Sequence, residues 1–186
     1  MKKDLRFITG LFVFAILMIA MVPCQPAFAA TAAEIDRDVD SALQKLYDKT
    51  PAAKELAKIA KGILVFPDIV KGGLIIGGQY GEGALRVDGK TVGYYSSVAA
   101  SYGLQAGVQK FGYALFFITG NALDYLKKSE GWEIGTGPSL VIVDEGVAGS
   151  LTTTTAKSDI YAFFFDQKGL MAGIGIQGSK ITKVDK

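Results

Sequence analysis

Residues able to do chemistry are scarce in this chain. The 186-residue sequence contains no histidine and a single cysteine, Cys24, so Ser-His-Asp triads, Cys-His pairs and histidine-ligated metals cannot be assembled from it. Carboxylates are present, notably Glu82, Glu133, Asp144, Glu145 and Asp166, and most of them flank glycines. Acids in such places are the ordinary solvated residues of turns, and no two stand out as a general acid and its base. No catalytic residue, metal site or cofactor is expected.

Lysine offers a different chemistry. In a helix over 51–61, Lys54, Lys58 and Lys61 fall at i, i+4 and i+7 and form one stripe. Such a stripe can lie along anionic head groups, each lysine near the surface contributing about 1 kcal/mol, with Leu56 and Ile59 entering the acyl boundary. The same spacing also fits a plainer arrangement, in which Leu56 and Ile59 pack on a sheet and the lysines keep the outer face wet.

Two glycine patterns invite phosphate or cofactor readings and fail on context. Residues 84–91 satisfy a loose phosphate-loop pattern, but such a loop must open a helix whose amides face the phosphates. Here Val92-Gly93-Tyr94-Tyr95 continues as strand, and Asp88-Gly89 between alternating flanks is a hairpin signal. Gly173, Gly175 and Ile174, Ile176 alternate, which places the glycines on one side of a strand and suits tight packing. Gly73, Gly77 and Gly81 are spaced by four as in close-packed membrane helices, yet Gly81-Glu82-Gly83 breaks a short apolar run, so curved strands account for them better.

The elements that must position these residues begin after residue 29. Lys2, Lys3 and Arg6 precede an uncharged apolar run over 11–22, and Ala27-Phe28-Ala29 supplies a small-x-small cleavage pattern. This reads as a secretory signal peptide cut after Ala29 or one residue later. Lipid attachment at Cys24 is disfavoured by Pro23 before it, so the mature chain of 157 residues is expected to lack thiols and disulfides. It also balances at 17 basic and 17 acidic residues, which gives no support for nucleic-acid binding. One domain over 30–186, periplasmic or otherwise envelope-associated, is the expectation.

Within that domain, Ile35, Val39, Ala42, Leu43 and Leu46 recur at helical spacing among acids, predicting an amphipathic helix over 32–47. Thr50-Pro51 starts the second helix and Gly62 stops it. Strands are predicted near 62–66, 73–79, 83–87, 91–97, 103–109, 111–118, 132–136, 139–143, 158–165, 170–177 and 180–184. One helix over 121–128 interrupts them, and the threonine run at 151–155 is an exposed loop or edge. The repeated glycines of 62–92 imply bulges, sharp curvature or close backbone approach. The fold class is α+β: a curved, mostly antiparallel sheet that could close toward a barrel, packed by two N-terminal helices and one internal helix.

An ordered set of blocks carries a resemblance. Ala60-Lys61-Gly62-Ile63-Leu64-Val65-Phe66-Pro67, Lys71-Gly72-Gly73 and Gly77-Gly78-Gln79-Tyr80-Gly81-Glu82-Gly83 are followed by residues 103–109, 137–139 and 161–173. Together they resemble the SYLF domain, also called the YAB or yeast actin-binding domain, and most resemble its exported bacterial branch. The resemblance implies a non-catalytic lipid-binding module. In eukaryotic members a basic amphipathic helix at the start of the domain contributes to phosphoinositide binding, and some members bind actin. The matching positions here nominate Lys54, Leu56, Lys58, Ile59 and Lys61 as lipid contacts, with Lys71 added from the second block. For an exported protein the implied partner is a phospholipid or other envelope lipid at an anionic membrane surface. A structural or protein-interaction module using exposed strand and aromatic residues is the alternative.

Overall fold

The computed structural model describes residues 30–73, 76–102, 107–169, 176 and 178–186. The expected signal peptide, 1–29, and nearly all of the expected 170–177 strand lie outside the described residues.

Helix α1, Ala32–Lys49, starts where its sequence says it should. The Thr31 hydroxyl accepts from the Glu34 amide and the Glu34 carboxylate accepts from the Thr31 amide at 2.8 Å, a reciprocal capping box. Ile35, Val39, Ala42 and Leu46 are its buried stripe. Thr50 ends it by donating its amide to the Leu46 carbonyl at 2.8 Å, and Pro51 opens α2, Pro51–Ala57. This second helix is shorter than expected. The Lys61 amide donates to the Phe117 carbonyl at 2.7 Å, so the chain has already joined the sheet where the helix was predicted to finish.

Among the described residues eight strands then form one open, curled half-barrel: β1 Gly62–Gly73, β2 Ile76–Val87, β3 Lys90–Tyr102, β4 Gly107–Phe117, β5 Trp132–Glu133, β6 Leu140–Val143, β7 Ile160–Gly169 and β8 Lys180–Val184. The order across the sheet is β5-β8-β3-β2-β1-β4-β7-β6. Every pair is antiparallel except β6 with β7. Asp88 and Gly89, both at positive φ, make the β2–β3 hairpin turn, which removes the phosphate-loop reading. Helix α3, Gly120–Lys128, lies between β4 and β5, capped by Thr119. A fourth helix, α4, Glu145–Ser150, was not foreseen; it carries two glycines, which helical propensity disfavours.

The main correction concerns strand length. The segments predicted as 62–66, 73–79 and 83–87 are two long strands, because glycine and Pro67 do not end β1. Register against both neighbours shifts between Val65 or Phe66 and Ile69 or Val70, a bulge that absorbs the missing proline amide. Gly81 and Gly83 on β2 face it. A Cβ at Gly83 would collide with the Val65 carbonyl oxygen, and one at Gly81 with that of Asp68. Close backbone approach is therefore what these two glycines are for.

The sheet separates two cores. On one face Leu64, Phe66, Phe111, Tyr113, Leu115 and Phe117 pack with α3, Trp132 and Ile134. On the other, Val65, Ala84, Ala114, Phe116, Phe163 and Phe165 pack under α1 and α2. These are called the α3 face and the α1 face below.

Candidate functional site

Of the lysines nominated as one stripe, Lys54 lies within α2, Lys58 is its C-cap and Lys61 follows it. Leu56 is fully buried in the α1-face core and Ile59 is half-buried against it, so these two serve packing in this conformation. Lys54, Lys58 and Lys61 are exposed. With the helix ending at Ala57, however, the i+7 position leaves it, and Lys58 reaches back to Glu55 at 2.6 Å. Lys71 is at the opposite end of β1 on the α3 face, with only 8% of its surface exposed.

Helix α1 is fastened across the sheet by charge at both ends. Near its start, Arg86 of β2 donates to the Asp40 carboxylate at 2.7 Å and to the Asp36 carbonyl at 3.2 Å. Asp36 also accepts from Thr91 at 2.6 Å and from Tyr94 at 3.0 Å. Near its end, Lys45 and Lys49 pair with Asp166 at 3.3 and 3.2 Å. Burial pushes the Asp166 carboxyl up, but hydrogen bonds from Lys49 and Lys45 outweigh it and hold the group below the ordinary aspartate value. Asp36 and Asp40 of the first helix are thus used on the sheet, and Lys54 and Lys61 make no ion pair among the described residues.

Because α1 crosses strands of up to 13 residues, it and α2 cover only part of their face. Beyond α1, register aligns one residue from each of six strands: Lys180, Val98, Tyr80, Val70, Lys110 and Lys168. Directly paired residues point to the same side of a sheet, so this is one row on the α1 face. Val98, Tyr80 and Val70 are 47, 51 and 50% exposed, and Val108 beside them is 68% exposed. The three lysines at its ends are exposed too. Lys110 pairs with Asp68 at 2.9 Å, while Lys168 and Lys180 make no ion pair among the described residues. The arrangement is an apolar band with a cationic group at each end. None of these positions was nominated from sequence, since the pairing that unites them spans more than a hundred residues of chain.

A cleft of about 1020 Å³ opens between the α1–α2 corner and α4. Its apolar floor includes Val143, Leu151 and Phe163, and its rim carries Lys49 and Glu55. Thr50, Asp144 and Gln167 also line it, so the lining is mixed, and Lys49 is already committed to Asp166. Among the described residues no helix is long and apolar enough to cross a membrane, and no group of acids could hold a metal ion.

Comparison with protein families places residues 98–186 on the Ysc84 family, described as "Las17-binding protein actin regulator". This is the SYLF grouping that the glycine-rich blocks resemble. The match begins at Val98 inside β3 and takes in Lys110, Lys168 and Lys180. Lys54, Leu56, Lys58, Ile59, Lys61 and Lys71 lie before it. A search of curated proteins finds no match.

Proposed function

We propose that this protein is an exported, non-catalytic module that binds the anionic lipid surface of the cell envelope, and that the uncovered part of the α1 face makes the contact. The observation that carries this reading is the row Lys180, Val98, Tyr80, Val70, Lys110, Lys168. An apolar band that enters the head-group region, with cations at its ends to meet lipid phosphates, is the composition of an interfacial contact. Half-exposed Val70, Tyr80 and Val98 would each contribute roughly 1 kcal/mol on being covered, half the usual value for a fully exposed side chain. Lys168 and Lys180 would add about 1 kcal/mol each, and Lys110 less because Asp68 competes for it.

Co-sedimentation with vesicles containing phosphatidylglycerol tests the proposal. Wild type is expected to bind, more weakly as salt rises. Combining Val70→Ser, Tyr80→Ser and Val98→Ser is expected to weaken binding at least tenfold, whereas Lys54→Glu with Lys58→Glu and Lys61→Glu changes it little. If the serine variant binds as wild type does and the glutamate variant does not, the contact belongs to α2. Absence of binding to any vesicle removes the lipid reading altogether.

The description of the matched family favours a second reading, in which the same surface docks a protein. Exposed Tyr80 and Val108 suit that equally well. Binding to actin filaments by wild type, lost in the serine variant and unaccompanied by vesicle binding, would establish it instead.

A further inference from the structure

The far end of the α3 face carries a feature of a different kind. β2, β1 and β4 set Gln79, Lys71 and Gln109 directly opposite one another. All three are more than nine-tenths buried, at 6, 8 and 3% exposure. They stand one step beyond Ile69 and Phe111, where the α3-face core ends. Among the described residues only the Gln79 side chain is bonded, its amide donating to the buried Ser179 hydroxyl at 2.9 Å. Gln109 Oε1 is buried without a partner, and the Lys71 ammonium makes no hydrogen bond or ion pair among the described residues.

A buried acceptor with no donor is costly to the fold, and beside it stands an ammonium with no acceptor at the end of a largely buried side chain. Side by side they call for one complement: acceptors for Lys71 and a donor for Gln109. We propose that this row is a binding site for a hydroxyl-bearing oxyanion, of which phosphoglycerol is the simplest form. Phosphate oxygens accept from Lys71 Nζ, and the neighbouring hydroxyl donates to Gln109 Oε1. Gln79, held by Ser179, ends the row on the β2 side. The ligand is either a free phosphoglycerol or the head group of a phospholipid. This site is on the opposite face from the row assigned to the membrane surface, so each stands or falls without the other.

Isothermal titration calorimetry on the protein as isolated tests it, with four probes: glycerol, inorganic phosphate, glycerol 3-phosphate, and dihexanoyl phosphatidylglycerol below its micelle concentration. Saturable binding is expected for glycerol 3-phosphate or the short-chain lipid, at least tenfold weaker binding for inorganic phosphate, and none for glycerol. Tighter binding of the lipid assigns the head group as the source; tighter binding of glycerol 3-phosphate assigns the free compound. Lys71→Met and Gln109→Leu are each expected to weaken binding at least tenfold. Lys71→Met is also expected to melt at the same or a higher temperature, because the ammonium it removes has no partner among the described residues and the apolar side chain suits a largely buried position. Failure of both phosphoglycerol probes, equal binding of inorganic phosphate, or unchanged binding in both variants overturns the proposal. So does a fall of several degrees in the melting temperature of Lys71→Met, since that would mean the ammonium is held by the fold itself.

Discussion

Gly83→Ala puts the architecture to its most direct test. The added Cβ would meet the Val65 carbonyl oxygen, with the Val65 carbonyl carbon at 2.8 Å and Phe66 Cδ1 at 2.9 Å. Two of these three atoms are backbone and cannot swing aside. Overpacking of a core ordinarily costs about 1–3 kcal/mol, and a backbone obstacle places this site at the upper end. Three kcal/mol corresponds to a fall of about 6–12 °C in a domain of this size. Urea unfolding followed by the fluorescence of Trp132, the only tryptophan and buried against Phe117, measures it. Gly120→Ala is the control, since nothing lies within 4 Å of its Cβ, and it should stay within about 0.5 kcal/mol of wild type. The bulge that Gly83 accommodates also decides which way Val70 and Lys71 point. A one-residue slip would exchange their faces, so survivors of the substitution should lose vesicle binding as well. Wild-type stability in Gly83→Ala would refute the close approach and with it this account of the glycines.

Other substitutions separate packing from surface chemistry. Leu56→Ala is expected to cost about 3 kcal/mol, as for a fully buried leucine, while Lys54→Glu should change stability by less than about 0.5 kcal/mol, both by urea titration. Asp36→Ala removes the partner of Arg86, Thr91 and Tyr94 and should cost about 2 kcal/mol, reduced from the fully buried case because Asp36 keeps contact with solvent. Asp38→Ala, whose pair with Arg37 is exposed, should cost nothing measurable. Asp159 is held below the ordinary aspartate value by hydrogen bonds from the Ser139 side chain, from Thr119 and from the Ser139 backbone. A depressed carboxyl stabilises the fold above its ordinary value and loses that contribution as pH falls through the folded one. Asp159→Asn should therefore lower stability at pH 7 by about 1 kcal/mol and flatten the acid limb below about pH 4.

Local chemistry made much of this fold legible. Thr31 and Glu34 mark the start of α1, Asp88-Gly89 marks a hairpin, and the four buried residues of α1 keep helical spacing. Structure and local sequence part where a distant partner decides the outcome. Pro67 and the glycines of β1 and β2 look like strand ends to any rule that weighs one segment at a time. They are compatible with 12-residue strands because the bulge in β1 is received by glycines on β2. The end of α2 was misplaced for a similar reason, since the Lys61 amide is taken by a carbonyl 56 positions away. Nothing near residue 61 announces that bond.

The candidate contact surfaces were still less legible, and the reason lies in how a sheet gathers residues. A helix face repeats in sequence, which is why Lys54, Lys58 and Lys61 could be nominated at all. A row across an antiparallel sheet has no such period: its members sit at 70, 80, 98, 110, 168 and 180, one per strand, at intervals set by how the strands are connected. Alternation along β1 shows only that Val70 and Lys71 face opposite ways. It does not say which faces a core, and here the expected order is reversed, with the valine exposed and the lysine buried. The bulge at 66–69 sets that parity, so a sequence device that first read as punctuation decides what each face of the sheet can bind.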